Sequence, residues 1–462
     1  MRIGKRGFEA RVKGDLTLEF GDEQLTSHAG LELVRRFLRR VGFFAAIRES
    51  AERLRVRGDF SFGKVVLAVV GMLLVGAKRL RHLAFVGSDP LFLRLVGLCR
   101  VPTERSLGRA LTRMGWRVWP ELDRLSYAMV NAGTAALGIR RWTIDIDGSV
   151  LTTGLQVERA ERGYNPHHRK NPSYYPILAT LAQTGHVIGH MNRRGNVHDS
   201  HRGAEFLHRA VCTVREELGA QGVIEARTDS AFFQRKFLET CVRDRVEYAI
   251  KVPMWPWLNL RGVVRQEAAD AWESVDRSRS VQGLFTWLYI AAWDRVERIA
   301  VYRKRIQHEP VKGKQLELFN PDDGYWEYSV VATNKTLDLR ALWHFQNGRG
   351  VQEKVIGELK SGLAFASIPS QSYSANTAWQ KLNVLAHNVA TSFQLQTVAP
   401  AKPRSLKRTA LFVIRSIATL RFEWLNKAAR LVRPHGARVL RLADNPAVHE
   451  AVATLERALH AA

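Results

Sequence analysis

Three carboxylates stand in local contexts that suit chemistry. Asp147 closes the run Trp142-Thr143-Ile144-Asp145-Ile146-Asp147-Gly148-Ser149. Asp229 closes Ile224-Glu225-Ala226-Arg227-Thr228-Asp229-Ser230. Glu353 lies in Arg349-Gly350-Val351-Gln352-Glu353, a segment that continues to Lys360. The first two place an acid at the end of an apolar, strand-like run, and the third places one on a helix. Three carboxylates converging on one point repel each other unless a cation neutralises them. Mg²⁺ is the natural partner, being hard, oxygen-seeking and tolerant of water and phosphate ligands, with Mn²⁺ able to stand in. Two such ions in a basic chain point to metal-dependent cutting of nucleic acid.

The chain has 462 residues, enough for roughly three structural units. Hydrophobic residues make up 46% and charged residues 25%, an ordinary balance for a globular core. The charge is unusual: 70 Lys and Arg against 44 Asp and Glu give +26. Such an excess favours a polyanionic partner, DNA first. A membrane surface fits less well. The longest apolar run, Val65 to Ala77, has 13 residues including two glycines, too short to span a bilayer. Met1-Arg2-Ile3-Gly4-Lys5-Arg6 is not followed by the apolar stretch of a secretory signal. Cys99, Cys212 and Cys241 are scattered, without Cys-x-x-Cys spacing. They read as buried structural thiols in a reducing cytoplasm, in a nucleoid-associated protein.

The elements that must position the acids follow from periodicity. Residues 24–140 read as helical. Leu31 to Arg40 mixes apolar and arginine positions at helical spacing. After Pro102, with Thr103 as N-cap, Leu107, Ala110, Leu111 and Met114 form an apolar face. Arg105, Arg109 and Arg113 form a separate stripe, read either as a solvated face or as a DNA-contacting one. Leu91 to Leu98 would be the first helix of a helix-turn-helix pair with it. From residue 141 the period changes to two. Strands are predicted at 142–147, 175–182 and 186–191, then a helix from Ser200 to Leu218 and a strand at 222–227. A helix at 231–243 and a strand at 246–252 follow. Three strands, then helix, strand, helix, strand is the order of a ribonuclease-H-like mixed sheet. Residues 253–325, rich in tryptophan, read as a β-rich insertion, with 311–323 as a polar loop. Trp326 to Thr333 is a further strand, 337–361 a helix carrying Glu353, and 376–394 another helix. The expected organisation is therefore a helical DNA-binding region (1–140), a catalytic core in two parts (141–252 and 326–399) split by the insertion (253–325), and a basic helical tail (400–462), helical at least over 437–459.

On a helix, Arg349 and Glu353 are one turn apart, with Lys360 two turns beyond Glu353. Arg349-x3-Glu353-x6-Lys360 resembles the end of the Tyr-x2-Arg-x3-Glu-x6-Lys signature of bacterial insertion-sequence DDE transposases. The chain is most similar to the branch called the thirteen-eighty group. The similar stretches are Asp145-Ile146-Asp147, Gly163-Tyr164-Asn165-Pro166, Ser173-Tyr174-Tyr175-Pro176, Arg194-Gly195-Asn196-Val197-His198 and Arg227-Thr228-Asp229-Ser230. The resemblance covers about residues 140–395. The signature tyrosine is replaced by Gln346, with Phe345 the nearest aromatic. The resemblance implies an endonuclease acting in transposition and DNA recombination, with Asp147, Asp229 and Glu353 as catalytic acids holding two Mg²⁺ ions. Arg349 and Lys360 would grip phosphate on the rim of the same pocket. Asp147-Gly148-Ser149 resembles the Asp-Gly-Thr form of related enzymes and favours Asp147 as the first acid. Asp145, on the same strand face, is the alternative or an additional metal ligand. The implied partners are transposon-end and target DNA, with a homodimer in the DNA complex.

Other residues suit lesser roles. His167-His168 and His198-x2-His201 have metal-like spacing, but no cysteine joins them. Trp293 could stack on a base displaced near a cut end. Gly313-Lys314 lacks the remainder of a nucleotide-binding loop. Two other classes fit the composition: a non-catalytic DNA-binding protein that recognises terminal repeats, and another ribonuclease-H-like nuclease. Acids pointing at DNA without a metal speak against the first, and the tryptophan-rich insertion against the second.

Overall fold

The structure is a computed structural model that describes residues 16, 18, 21, 23–55, 60–154, 156–163, 165, 168, 170–276, 280–305 and 326–460. The opening hexapeptide, Tyr164, Pro166, His167 and the loop 311–323 with Gly313-Lys314 lie outside them. Helices come first: α1 (Leu31–Arg40), α2 (Phe43–Leu54), α3 (Phe62–Val75), α4 (Pro90–Val96), α5 (Glu104–Arg113) and α6 (Trp119–Thr134). Then the period changes, and β1 (Arg141–Gly148), β2 (Ile177–Leu181) and β3 (Val187–Met191) form an antiparallel meander. Helix α7 (Gly203–Cys212) leads to β4 (Val223–Thr228), and α8 (Arg235–Arg243) to β5 (Val246–Val252). Strand β4 pairs parallel to β1, and β5 parallel to β4. The order β3-β2-β1-β4-β5 is that of a ribonuclease-H-like core.

The sheet does not stop at β5. The insertion contributes the long hairpin β6 (Val281–Ile290) and β7 (Arg295–Arg305), and β8 (Trp326–Thr333) joins that hairpin to β5. The described residues thus hold one nine-stranded sheet, edged by the short strand Glu273–Ser274. The insertion extends the catalytic sheet instead of standing apart. Its strands are rich in Val, Ile, Tyr and Trp, and pairing with β8 satisfies their backbone donors and acceptors.

Strand β1 explains how the sheet is covered. Trp142, Ile144 and Ile146 belong to the apolar core formed with Phe206, Leu207, Phe237 and Leu238 of α7 and α8. The alternate positions carry Thr143, Asp145 and Asp147 to the opposite face, as a period-two strand requires. On that side follow α9 (Leu339–Asn347), α10 (Gly350–Gly357) and α11 (Tyr373–Leu395). The predicted single helix over 337–361 is two helices broken at Gly348, which lies too close to Arg227 for any side chain. A π-helical turn, Glu358–Gly362, extends α10. Helix α11 packs against α3, α5 and α6 and shares one core with them, including Phe37, Leu74, Trp379 and Phe393. The N-terminal helices are therefore continuous with the catalytic core.

The run Val65 to Ala77 falls in α3, which is buried along most of its length. No described helix is long and apolar enough to cross a membrane. The tail departs from the helical expectation over 437–445. Strands β9 (Ala429–Val432) and β10 (Val439–Leu442) form a hairpin that pairs with Leu25–Thr26, and within 437–459 the helix α12 (Pro446–His460) begins only at Pro446. Pro434-His435-Gly436 turns the chain there, with positive φ at His435 and Gly436. Cysteine burial also differs from expectation: Cys241 is buried, but Cys99 is exposed, and all three thiols are free.

Candidate active site

The parallel pairing of β1 and β4 builds the site as a ladder. Register places Thr143 opposite Glu225 and Asp145 opposite Arg227. Two residues further along both strands come Asp147 and Asp229, at the carboxyl ends where open α/β sheets place their ligands. The lowest rung is neutralised. Thr143 donates to Glu225 (2.7 Å), which also receives Arg141 (2.7 Å) and Lys335 (2.6 Å). The middle rung is a bidentate ion pair: Arg227 Nε and Nη2 donate to the two oxygens of Asp145 at 2.6 and 2.7 Å. Both side chains are fully buried. Arg227 Nη1 also donates to the Phe345 carbonyl (2.6 Å) and to Thr409 (3.0 Å). Asp145 therefore has both oxygens committed inside the protein.

The top rung is acid against acid. Burial raises Asp147 first, and the Asp229 and Asp199 charges raise it further. Arg349 opposes them, and the result is a pKa of about 7. Burial and Asp199 likewise raise Asp229, again against Arg349. Arg349 Nη2 donates to Asp147 Oδ2 at 3.1 Å, and its Nε is buried without a partner. Asp147 Oδ1 accepts from the Gly148 amide (2.8 Å), and Asp229 Oδ1 from the Ala231 amide (3.1 Å).

Helix α10 is pinned over this rung at several points. Gln352 donates to the backbone carbonyls of Asp145 (2.9 Å) and Leu178 (3.3 Å). Lys360 donates to the Val150 carbonyl (2.9 Å), and burial lowers its pKa. Gln346, standing where the signature has tyrosine, is buried and donates to the Thr228 carbonyl (2.9 Å), next to Asp229. Phe345 stacks instead, with Arg227 and Lys335 over its ring. Glu353 is exposed, one turn beyond Arg349. Among the described residues no three His, Cys, Asp or Glu side chains stand close enough to hold a metal ion. The structure thus brings together Asp147, Asp229 and Arg349, keeps Lys360 at the neighbouring loop, and leaves Glu353 outside the acid pair. The donor set fits a hard cation: Asp147 and Asp229 offer carboxylate oxygens, and the Asp229 and Asp199 charges raise Asp147, a repulsion that a divalent ion relieves.

The remaining predicted residues are more distant. Thr103 caps α5 by accepting from the Ser106 amide (3.2 Å). Leu107, Leu111 and Met114 are buried, whereas Arg105, Arg109 and Arg113 are exposed and form no ion pair among the described residues. Trp293 sits at the β6–β7 hairpin, packed on Phe233 (5.2 Å between centroids) and Trp257 (5.9 Å). The hairpin tip is thereby tied to the segment just after Asp229. His198 bonds Ser200 (2.7 Å), and both His198 and His201 are exposed. Sequence reasoning missed Asp199, whose charge acts on both acids of the top rung. Its only signal was its place directly after Arg194-Gly195-Asn196-Val197-His198.

A ribonuclease-H-like sheet with two acids on its adjacent central strands defines a class of phosphoryl-transfer enzymes. Residues 8–462 match the family described as Transposase DDE domain group 1. The chain belongs to that family and is a DDE transposase. No curated protein matches it. Among solved structures it is similar to a cryo-EM structure of a piggyBac transposase synaptic complex with hairpin DNA. That likeness has 12% identity and a TM-score of 0.41, over 85% of this chain and 79% of the other.

Two outcomes test the ladder. Asp145→Asn should leave Arg227 buried without its counter-charge and destabilise the fold by about 3–5 kcal/mol in a urea titration. An unchanged midpoint would remove Asp145 from the framework. The second test uses pH. An acid raised on folding stabilises the protein below its unfolded pKa and loses that contribution as pH rises to the folded value. With chelator present, Asp147 should therefore make stability fall between its ordinary value of 3.8 and about 7. Asp147→Asn should flatten this fall, leaving the variant about 1–3 kcal/mol more stable near pH 8. Parallel wild-type and variant curves would contradict the raised pKa.

Proposed function

We propose that this transposase cuts the ends of a bacterial insertion sequence and joins them to target DNA, using divalent metal ions held by Asp147, Asp229 and Glu353. The observation that carries this reading is the acid pair at the ends of β1 and β4, two carboxylates on adjacent parallel strands offset chiefly by Arg349. Bound Mg²⁺ would activate the attacking oxygen and stabilise the leaving 3′ oxygen.

The chain's own residues set the rest. Arg349 neutralises Asp147 in the metal-free protein and would turn to phosphate once a cation takes that role. Glu353 lies one turn beyond Arg349 on the same helix and is the third acid of the proposed set. Asp145 serves as the counter-charge of Arg227 and not as a ligand. Lys360, on the π-helical turn after α10 and bonded to the Val150 carbonyl, would hold a strand running past the acids. The exposed arginines of α5 and the net charge of +26 supply contacts to phosphate away from the chemistry. Trp293, packed on the segment after Asp229, would stack on a displaced base. Each step exchanges one phosphodiester linkage for another bond of similar energy, so no nucleotide cofactor is required. Two ends must be held together, so the DNA complex is a homodimer acting in the bacterial cytoplasm.

Asp147→Asn, Asp229→Asn and Glu353→Gln should each abolish Mg²⁺-dependent nicking of an end substrate while retaining end binding in a gel shift. Cutting at the wild-type rate by Glu353→Gln would transfer the third ligand to another acid, and a wild-type chain that binds ends but never nicks them would be a repressor. A separate experiment concerns the stripe. Replacing Arg105, Arg109 and Arg113 by Ala should leave folding nearly unchanged. It should lower the salt slope of end binding by up to about three counterions. An unaltered slope would make the stripe a solvated face.

A further inference from the structure

The loop between β3 and α7 is irregular, yet it is built around one buried arginine. Arg193 has a side chain only 3% exposed. Its Nε donates to the Tyr175 carbonyl (2.9 Å), and its Nη1 to the carbonyls of Asp199 (2.7 Å) and His201 (2.9 Å). Its guanidinium lies over the Tyr175 ring, 5.2 Å from the centroid. Ser200 ties the same loop to the start of α8 by accepting from Gln234 (2.7 Å). A guanidinium that gathers several carbonyls fixes a loop as firmly as a short element of regular structure would.

What this loop delivers is the Asp199 carboxylate. Asp199 Oδ1 is buried without a hydrogen-bond partner, and so is Arg193 Nη2, 3.9 Å from it. Residue 148 must be glycine for the carboxylate to fit. A Cβ there would collide with Asp199 Oδ1 and lie 2.8 Å from the Tyr175 ring. Asp199 therefore reaches the backbone of the residue next to Asp147. Burial and the nearby Asp199 charge keep the Tyr175 phenol protonated, so its hydroxyl remains a donor toward that carboxylate. An orphaned carboxylate oxygen and an orphaned guanidinium nitrogen, both buried beside two further acids, are costly unless a bound group uses them.

Resting on the reading of Asp147 and Asp229 as cation ligands, we propose that Asp199 is a positioning residue of the same site. It is held by Arg193 and Tyr175 so that its charge draws the cation and its free oxygen receives a water of the cation's shell. Its assigned role is toward the water shell of the cation and not toward the ion itself. Outer partners of this kind typically govern metal affinity by about 10- to 100-fold.

The test is calorimetric titration of the full-length, chelator-treated chain with Mn²⁺, alongside thermal melts. Asp199→Asn keeps the shape and removes the charge, so it should weaken Mn²⁺ binding by about 10-fold or more. Asp199→Glu keeps the charge and should recover part of the loss. Wild-type affinity in Asp199→Asn would overturn the proposal. Equal loss in both variants would also overturn it, since it would mark a role of shape alone. Asp147→Asn separates the two readings. If it binds Mn²⁺ as the wild type does, the cation site itself is wrong. If it loses binding while Asp199→Asn does not, only the role of Asp199 fails.

Discussion

A guanidinium and a carboxylate with no solvent contact, Arg227 and Asp145, hold β1 to β4 one rung below the acid pair. Removing two charges from water is expensive, and only tight pairing with further hydrogen bonds offsets the cost. Here those bonds come from elsewhere in the chain: the Phe345 carbonyl on α9 and Thr409 in the tail. Arg227 thus fixes the register of the two strands, the end of the helix before α10 and the path of the tail in one contact. Because the strands are parallel and in register, fixing Asp145 against Arg227 also fixes Asp147 beside Asp229. The neutralised rung allows the next rung to be frustrated without the sheet parting.

That frustration explains the arrangement of α10. Two half-buried carboxylates need positive charge, and Arg349 provides it at the N-terminal end of the helix. Gln352 and Lys360 then anchor the helix to backbone carbonyls of β1, β2 and the loop after β1, contacts that a change of charge at the acids does not disturb. Glu353 faces outward between these anchors. A helix anchored to backbone carbonyls but facing the acids through a single ion pair is suited to exchanging that ion pair for a cation.

Much of this was legible in the residues. The alternation of Trp142, Ile144 and Ile146 with Thr143, Asp145 and Asp147 gives a strand with one apolar and one polar face, and that pattern survives unchanged in β1. The strand order of the core, the cap at Thr103 and the arginine stripe on α5 are likewise local properties, set by periodicity and side-chain chemistry within a few residues. The tail was misread because its alternating Arg and Leu residues suit a helix or a hairpin equally, and pairing with Leu25–Thr26 decided the matter. The insertion's strands were legible as strands, but the sequence does not show which strand they pair with.

The sequence by itself therefore determined which acids end strands, which face of each strand is polar, and the basic character of the whole chain. Only the tertiary structure decided how those acids divide their work. Asp145 and Asp147 are indistinguishable as neighbours on one strand face, but Arg227 lies opposite the first and Asp229 opposite the second, and that depends on register between segments 82 residues apart. Asp199 was invisible for the same reason. Its place beside Gly148 is fixed by the carbonyls gathered around Arg193 and by the packing of Tyr175, contacts that no spacing in the chain encodes.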